Sequence, residues 1–255
     1  MNKTILNGSS EAKKIFKSLK SKAGLAAILI GKDPASHVYV NIKEKRAKEI
    51  GVKFKKYILP STISEKHVID LIKKINKDKK INGILVQLPL PKKFNTQKII
   101  ETISPHKDVD GFISNKIIPP TIQSIIHLIK MSKKKLENKK CIILTNNEKF
   151  AKPLERALKK KKVKINISLK PKKDIYTKYD IIVIALGKKY WLKPEMIKKD
   201  CIVIDVGINR VDKKTYGDVH PDCFSKSKYI SPVPGGVGPL TVAFLFKNLI
   251  KLKNT

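Results

Sequence analysis

Five unbroken apolar runs restrict this chain more than any other feature. They are Leu25-Ala26-Ala27-Ile28-Leu29-Ile30, Ile84-Leu85-Val86, Cys141-Ile142-Ile143-Leu144, Ile181-Ile182-Val183-Ile184-Ala185 and Ile202-Val203-Ile204. A strand without polar alternation has both faces covered, as in a parallel sheet lying between helices. Helical patterns intervene. Ser9 and Ser10 open one that runs to about Ser21, Ser36 caps one running to Ile50, and Thr62-Ile63-Ser64-Glu65 fits a capping box for one ending near Asn76. With a strand at 52–59, the order strand, helix, strand, helix, strand predicts an α/β fold with right-handed crossovers. Further helices are expected at 95–103, 122–131 and 152–161, and a weaker strand at 162–169. Ligands of such sheets bind beyond the carboxyl ends of the strands, and Gln87 sits at one of them.

The stretch Pro232-Val233-Pro234-Gly235-Gly236-Val237-Gly238-Pro239-Leu240-Thr241 holds three glycines and three prolines in ten residues. Proline fixes φ and removes an N–H, and glycine permits close backbone approaches. The stretch therefore reads as a rigid loop delivering the N-terminus of a final apolar helix from Val242 to Ile250. Its 255 residues leave room for two modest domains. No apolar run approaches the roughly 20 residues of a membrane span. Cys141, Cys201 and Cys223 are far apart and show no zinc-like spacing, which predicts a cytoplasmic protein without disulfides or metal.

The net charge of +35 raises a nucleic-acid reading. Yet all but three of the 56 basic residues are lysine, spread along the chain, and only Arg46, Arg156 and Arg210 are arginine. Base and phosphate recognition leans on arginine as well as lysine. Abundant Lys, Ile and Asn together are what an AT-rich genome writes into any protein, so non-specific, salt-sensitive polyanion binding is expected from charge alone.

Several segments, taken in order, resemble one family. They are Ser36-His37-Val38-Tyr39-Val40-Asn41-Ile42-Lys43, Gly83-Ile84-Leu85-Val86-Gln87-Leu88-Pro89-Leu90-Pro91, Asp108-Val109-Asp110-Gly111-Phe112, Ile204-Asp205-Val206-Gly207-Ile208-Asn209 and the Pro232–Thr241 stretch. The chain resembles the bifunctional methylenetetrahydrofolate dehydrogenase/methenyltetrahydrofolate cyclohydrolase family over nearly its whole length. The resemblance implies a catalytic folate-binding domain of residues 1–120 plus 234–255, with the C-terminal helix returning to it. It also implies a shortened Rossmann-type NAD(P)-binding domain of residues 121–233, a folate cleft between the two, and a homodimer. By motif position Tyr39 stacks on the folate, Lys43 is the catalytic lysine, Gln87 holds and tunes it, and Asp110 binds the pterin ring. Pro234, Gly235 and Gly236 line the folate site, and Thr145, Asn146, Asn147 and Ile208 fall at the cofactor.

The residue chemistry agrees with those implied roles. Tyr39 and Lys43 are four apart and share a helix face. A proton-relay lysine must lose its proton near neutral pH, which burial promotes. A neighbouring amide orients the amine without fixing its charge. Asp110, with Asp108 as its competitor, offers acceptors to a pterin donor edge.

The cofactor turn departs from the family. Where the family reads roughly Gly-Arg-Ser-x-x-Val-Gly-x-Pro, this chain has Thr145-Asn146-Asn147-Glu148-Lys149-Phe150-Ala151-Lys152-Pro153. Thr145 and Ala151 add Cβ atoms at glycine positions, the arginine is gone, and Glu148 opposes a 2′-phosphate. A weakened NADP site is the expectation. Two other readings stay open on sequence: a cyclohydrolase with a decayed dehydrogenase half, and a basic nucleic-acid-binding or scaffold protein on the same fold.

Overall fold

The computed structural model describes residues 4–113, 116–212 and 214–255. In chain order its first elements are β1 (Thr4–Ile5), α1 (Gly8–Ser18), β2 (Gly24–Ile30), α2 (Pro34–Glu49), β3 (Lys53–Leu59), α3 (Glu65–Lys77), β4 (Gly83–Val86), α4 (Thr96–Glu101) and α5 (Pro120–Met131). Then come β5 (Lys140–Thr145), α6 (Glu148–Lys159), β6 (Lys164–Leu169), β7 (Ile181–Ala185), β8 (Ile202–Asp205), β9 (Asn209–Val211), β10 (Lys214–Tyr216), α7 (Cys223–Lys226), β11 (Tyr229–Ile230) and α8 (Val237–Lys253). The chain divides into two compact units. One comprises Lys14–Pro120 and Val242–Thr255, the other Met1–Lys13 and Thr121–Thr241.

The first unit is built on a parallel sheet of order β3-β2-β4. β2 is central and every residue in it is buried, which explains its unbroken apolar run. α3 turns Val68, Ile72 and Ile75 inward, the spacing of one helix face. α2 starts earlier than the sequence predicts. Its cap is Asp33, which accepts from the Ser36 backbone N–H, with Pro34 at the first helical position, where a missing N–H has no partner to lose. The predicted capping box at Thr62–Glu65 is also reassigned. Ser64 caps α3, and the Glu65 carboxylate accepts from the Asn95 N–H instead. The final helix packs in this unit as expected, with the Phe246 ring edge-on to Phe16 at 6.0 Å.

The second unit carries a six-stranded parallel sheet of order β1-β11-β8-β7-β5-β6, with the antiparallel hairpin β9–β10 beside it. β5, β7 and β8 form its buried centre, and α6 covers the sheet with Ala151, Leu154 and Leu158. Two boundaries differ from the sequence reading. Residues 1–13 group with this unit because β1 pairs with β11 and adds a strand at the edge. Residues 234–241 group with it too: the Ser9 N–H donates to the Gly235 carbonyl, and a Cβ on Gly8 would overlap the Gly236 carbonyl oxygen. Moreover, the Gly/Pro loop is shorter than predicted. Its last five residues, from Val237, are already helical, and Pro239 is tolerated there because first-turn N–H groups have no intrahelical acceptor.

Candidate functional site

Lys43 lies on the buried face of α2, in line with Ser36, Val40 and Ala47. Those positions recur at helical spacing toward the sheet, where an apolar residue is the ordinary occupant. The lysine is only 9% exposed. Its Nζ donates to Gln87 Oε1 at 2.8 Å. Gln87 follows the last residue of β4, and its own N–H donates to the Ile28 carbonyl, so the sheet fixes where its side chain starts. Its amide has a defined sense, because Nε2 donates to the Leu88 carbonyl at 2.7 Å and leaves Oε1 to the lysine. Burial lowers the Lys43 pKa from its ordinary value, and the charge of Asp110 opposes that shift. Tyr39, half-buried, stands one turn before Lys43 on α2.

Asp108 and Asp110 divide their work. Asp108 is buried, with Oδ1 accepting from the Gly111 N–H at 3.0 Å and Oδ2 from the Ile113 N–H at 2.7 Å. It also bridges to Ile84 beside β4. Its carboxylate shapes the loop by accepting from backbone N–H groups a few residues on, an ordinary turn role for aspartate. Asp110 lies where it senses Lys43. Burial pushes its carboxyl up to about 6, against the pull of the Lys43 ammonium and with a push from Asp108. The structure thus brings Tyr39, Lys43, Gln87 and Asp110 into one unit, around an amine of lowered basicity and a carboxyl of raised pKa. Pro234, Gly235 and Gly236 lie in the loop before α8, grouped with the six-stranded unit, and Gly235 has φ of +106°.

The carboxyl edge of the six-stranded sheet holds the remaining predicted residues. Thr145 ends β5, fully buried, with its hydroxyl donating to the Ala185 carbonyl and accepting from the Asn147 N–H. Ala151 is fully buried as well. The two Cβ atoms that replace family glycines therefore pack into the protein, and the steric part of the expected weakening has no counterpart in the structure. Asn146 is exposed. Asn147 caps α6 by accepting from the Phe150 N–H. Ile208, after β8, is 46% exposed. At the end of β7, Gly187 has φ of +66° and open space where a side chain would stand, room for a ligand to approach the backbone.

Sequence reasoning singled out Asp205 at its strand end but missed its partner at this edge, Asp218. Asp218 is fully buried and accepts from the N–H groups of Leu186, Gly187 and Lys188 and from Asn209 Nδ2. Asp205 accepts from the N–H groups of Gly207, Asp218 and Val219. Burial pushes the Asp205 carboxyl up to about 7; the three N–H groups pull it down, and the neighbouring Asp218 adds to the rise. A Cβ on Gly207 would overlap the Asp218 carboxyl, and one on Gly217 would overlap that of Asp205. Asp218 has no local sequence signal, since the three backbone N–H groups it accepts from lie 30 to 32 residues earlier. Among the described residues there is no cluster of three or more metal-ligating side chains, and no helix is long and apolar enough to cross a membrane.

Residues 2–110 match the family described as tetrahydrofolate dehydrogenase/cyclohydrolase, catalytic domain, and residues 119–255 match its NAD(P)-binding domain. The chain is 39% identical, over an alignment of 276 positions, to the bifunctional protein FolD of Acetivibrio thermocellus, covering 98% of this chain and 97% of that one. In structure it is similar to the bifunctional FolD methylenetetrahydrofolate dehydrogenase/cyclohydrolase of Campylobacter jejuni, with a TM-score of 0.92, 34% identity and 98% of each chain covered. The Trypanosoma brucei enzyme, complexed with NADP cofactor and inhibitor, gives a TM-score of 0.92 at 26% identity, covering 100% of this chain and 98% of that one.

Proposed function

The chain belongs to the tetrahydrofolate dehydrogenase/cyclohydrolase family, and from that premise we infer that Lys43, Tyr39, Gln87 and Asp110 handle its folate substrate. It is a bifunctional enzyme of one-carbon folate metabolism. It oxidises 5,10-methylenetetrahydrofolate to the methenyl form with NADP and hydrolyses that form to 10-formyltetrahydrofolate. The match to an NAD(P)-binding domain over residues 119–255 favours the two-activity enzyme over a cyclohydrolase alone or a polyanion-binding protein.

The observation that carries the assignment of roles is the 2.8 Å bond from Lys43 to Gln87. An amide acceptor takes a hydrogen bond from either the amine or the ammonium, so it aims Nζ without trapping the proton. Burial then lowers the amine's pKa from its ordinary value, which favours the unprotonated form that a base needs. In the hydrolysis, water adds to the methenyl carbon, the bond from that carbon to N5 breaks, and the formyl group stays on N10. Of water's two protons, one ends on N5 and the other leaves to solvent. Lys43 suits both transfers, as a base for the attacking water and as an acid toward the departing nitrogen. Tyr39 supplies a flat face for the conjugated ring, and Asp110 supplies acceptors for its donor edge. A cytoplasmic homodimer is the assembly and setting that the family resemblance supports.

NADP, when bound, accepts the hydride. The strand-turn-helix of β5 and α6 and the open backbone at Gly187 fit a dinucleotide. The exposed residues of the turn, Asn146 and Asn147, bring no positive charge, and Glu148 brings a carboxylate, at 3.8 Å from Lys152. The cations near this turn are lysines: Lys149 and Lys152 on α6, and Lys170, whose N–H donates to the Thr145 carbonyl at the end of β6. They act on a 2′-phosphate as point charges. Losing one charge-assisted contact costs about 1.5–3 kcal/mol, roughly ten- to a hundredfold in affinity. NADP binding is therefore expected to fall steeply with salt, and preference over NAD to stay below about tenfold. Absorbance assays of both reactions, with calorimetry of both cofactors at two salt concentrations, test this. Absence of either activity would sink the two-activity reading. Micromolar, salt-insensitive NADP binding that strongly rejects NAD would overturn the weakened grip alone.

A further inference from the structure

Asn248 is the odd residue on its helix. Around it α8 buries Leu245, Phe246 and Leu249 almost completely, and Asn248 itself is only 4% exposed. A buried amide costs free energy unless protein groups replace its bonds to water. Here they do: Nδ2 donates to the Val109 carbonyl at 2.9 Å and to the Ile118 carbonyl at 3.1 Å. Those two carbonyls flank the stretch that begins with Asp110, so one side chain ties both its ends.

Peptide planarity carries the constraint further. The Val109 carbonyl and the Asp110 N–H share one plane, so a bond that holds the carbonyl also holds the N–Cα bond of Asp110; the Gly111 N–H, bound by Asp108 Oδ1, holds the next plane, and the two planes together set the direction of the Asp110 side chain. Other groups secure the same loop from outside this plane. Asp108 takes the N–H groups of Gly111 and Ile113, and Lys107 Nζ donates to the Ile75 and Asp78 carbonyls at the end of α3.

We propose that Asn248 is a positioning residue for the folate site, holding Asp110 at the angle from which its carboxylate meets the ligand. The inference rests on the reading that Asp110 binds folate. A double-mutant cycle on the full-length protein tests it, with tetrahydrofolate affinity measured by calorimetry and Tm measured alongside. Asn248→Leu removes both donors. Because small misplacements of a binding group are costly, it is expected to weaken tetrahydrofolate binding about tenfold in the otherwise native protein. On an Asp110→Asn background the same change is expected to cost less than about twofold, because residues acting through one another are not additive. A purely structural role would lower Tm alike in both backgrounds and leave the two affinity losses additive, which overturns the proposal. If Asn248→Leu does not fold, Asn248→Ser, which keeps one donor, is carried through the same cycle and judged by the same rule. An Asp110→Asn variant that binds tetrahydrofolate as well as the native protein overturns the assignment of Asp110, and this proposal with it. A clear Asp110 effect with additive Asn248 losses overturns the proposal alone.

Discussion

Lys43→Met is expected to lower cyclohydrolase activity by about 10²–10⁴-fold, the range over which positioned acid–base groups contribute, while tetrahydrofolate still binds. Methionine is close to lysine in length and carries no titratable group. The position accepts an apolar side chain, since Lys43 lies in line with Val40 and Ala47 on the inner face of α2. The substitution removes a buried amine, which is costly to hold in its charged form, and leaves one amide oxygen, Gln87 Oε1, without its partner. These effects oppose each other, so Tm is expected to move little. Steady-state hydrolysis of methenyltetrahydrofolate, thermal melting and ligand titration on one preparation check all three statements. A variant keeping more than about a tenth of the native rate, with an unchanged melt, would remove Lys43 from the chemistry, because a proton-transfer residue contributes more than that.

Asp108→Asn and Asp110→Asn are expected to fail in different ways. Asp108 spends its two oxygens on the N–H groups of Gly111 and Ile113. An asparagine there turns one acceptor into a donor facing a donor, which costs about 1–3 kcal/mol of stability. Asp110→Asn is expected to leave the melt nearly unchanged and to weaken folate binding by roughly ten- to a hundredfold, the worth of one charge-assisted contact. The pH dependence separates the two further. The Asp110 carboxyl, pushed up to about 6 by burial, is ionised above that pH and protonated below it. A ligand donor edge prefers the ionised form. Native affinity is therefore expected to hold above pH 6 and to fall about tenfold for each unit below it. In Asp110→Asn this dependence should vanish, while in Asp108→Asn it should persist. Titrations between pH 5 and 8 decide the matter; a larger affinity loss from Asp108→Asn would reverse the assignment.

The parts of the site that lie within one helix or at one strand end were legible in the sequence. Tyr39 and Lys43 are separated by one turn, and Gln87 ends an apolar run, so periodicity placed them on a helix face and at a strand end, while their assignment to a site came from the family resemblance. What sequence reasoning could not reach is long-range. β1 pairs with β11 across more than two hundred residues, and two residues of edge strand carry no pattern of their own. Asn248 finds its carbonyls 130 and 139 positions away. Its only local signal was a single amide inside an apolar helix. Local misreadings have local causes. Ser36 is a good cap by type, but Asp33 followed by Pro34 is a stronger start. The Gly/Pro stretch reads as loop throughout because proline is penalised inside a helix, yet the first turn is exempt. At the cofactor turn, replaced glycines suggested obstruction, and only the fold revealed that Thr145 and Ala151 point away from solvent.

The interlock of Asp205, Asp218, Gly207 and Gly217 bears on how this sequence can drift. Gly207 can gain a side chain only after Asp218 has gone, and Gly217 only after Asp205 has gone. Losing Asp218 strands the N–H groups of Leu186, Gly187 and Lys188, and losing Asp205 strands those of Gly207 and Val219 along with that of Asp218 itself. Each single step away from the present quartet passes through a crippled intermediate, and each double step needs two rare events together. The four positions are therefore expected to change together or not at all, unlike the exposed lysines, which have no such interlock to preserve.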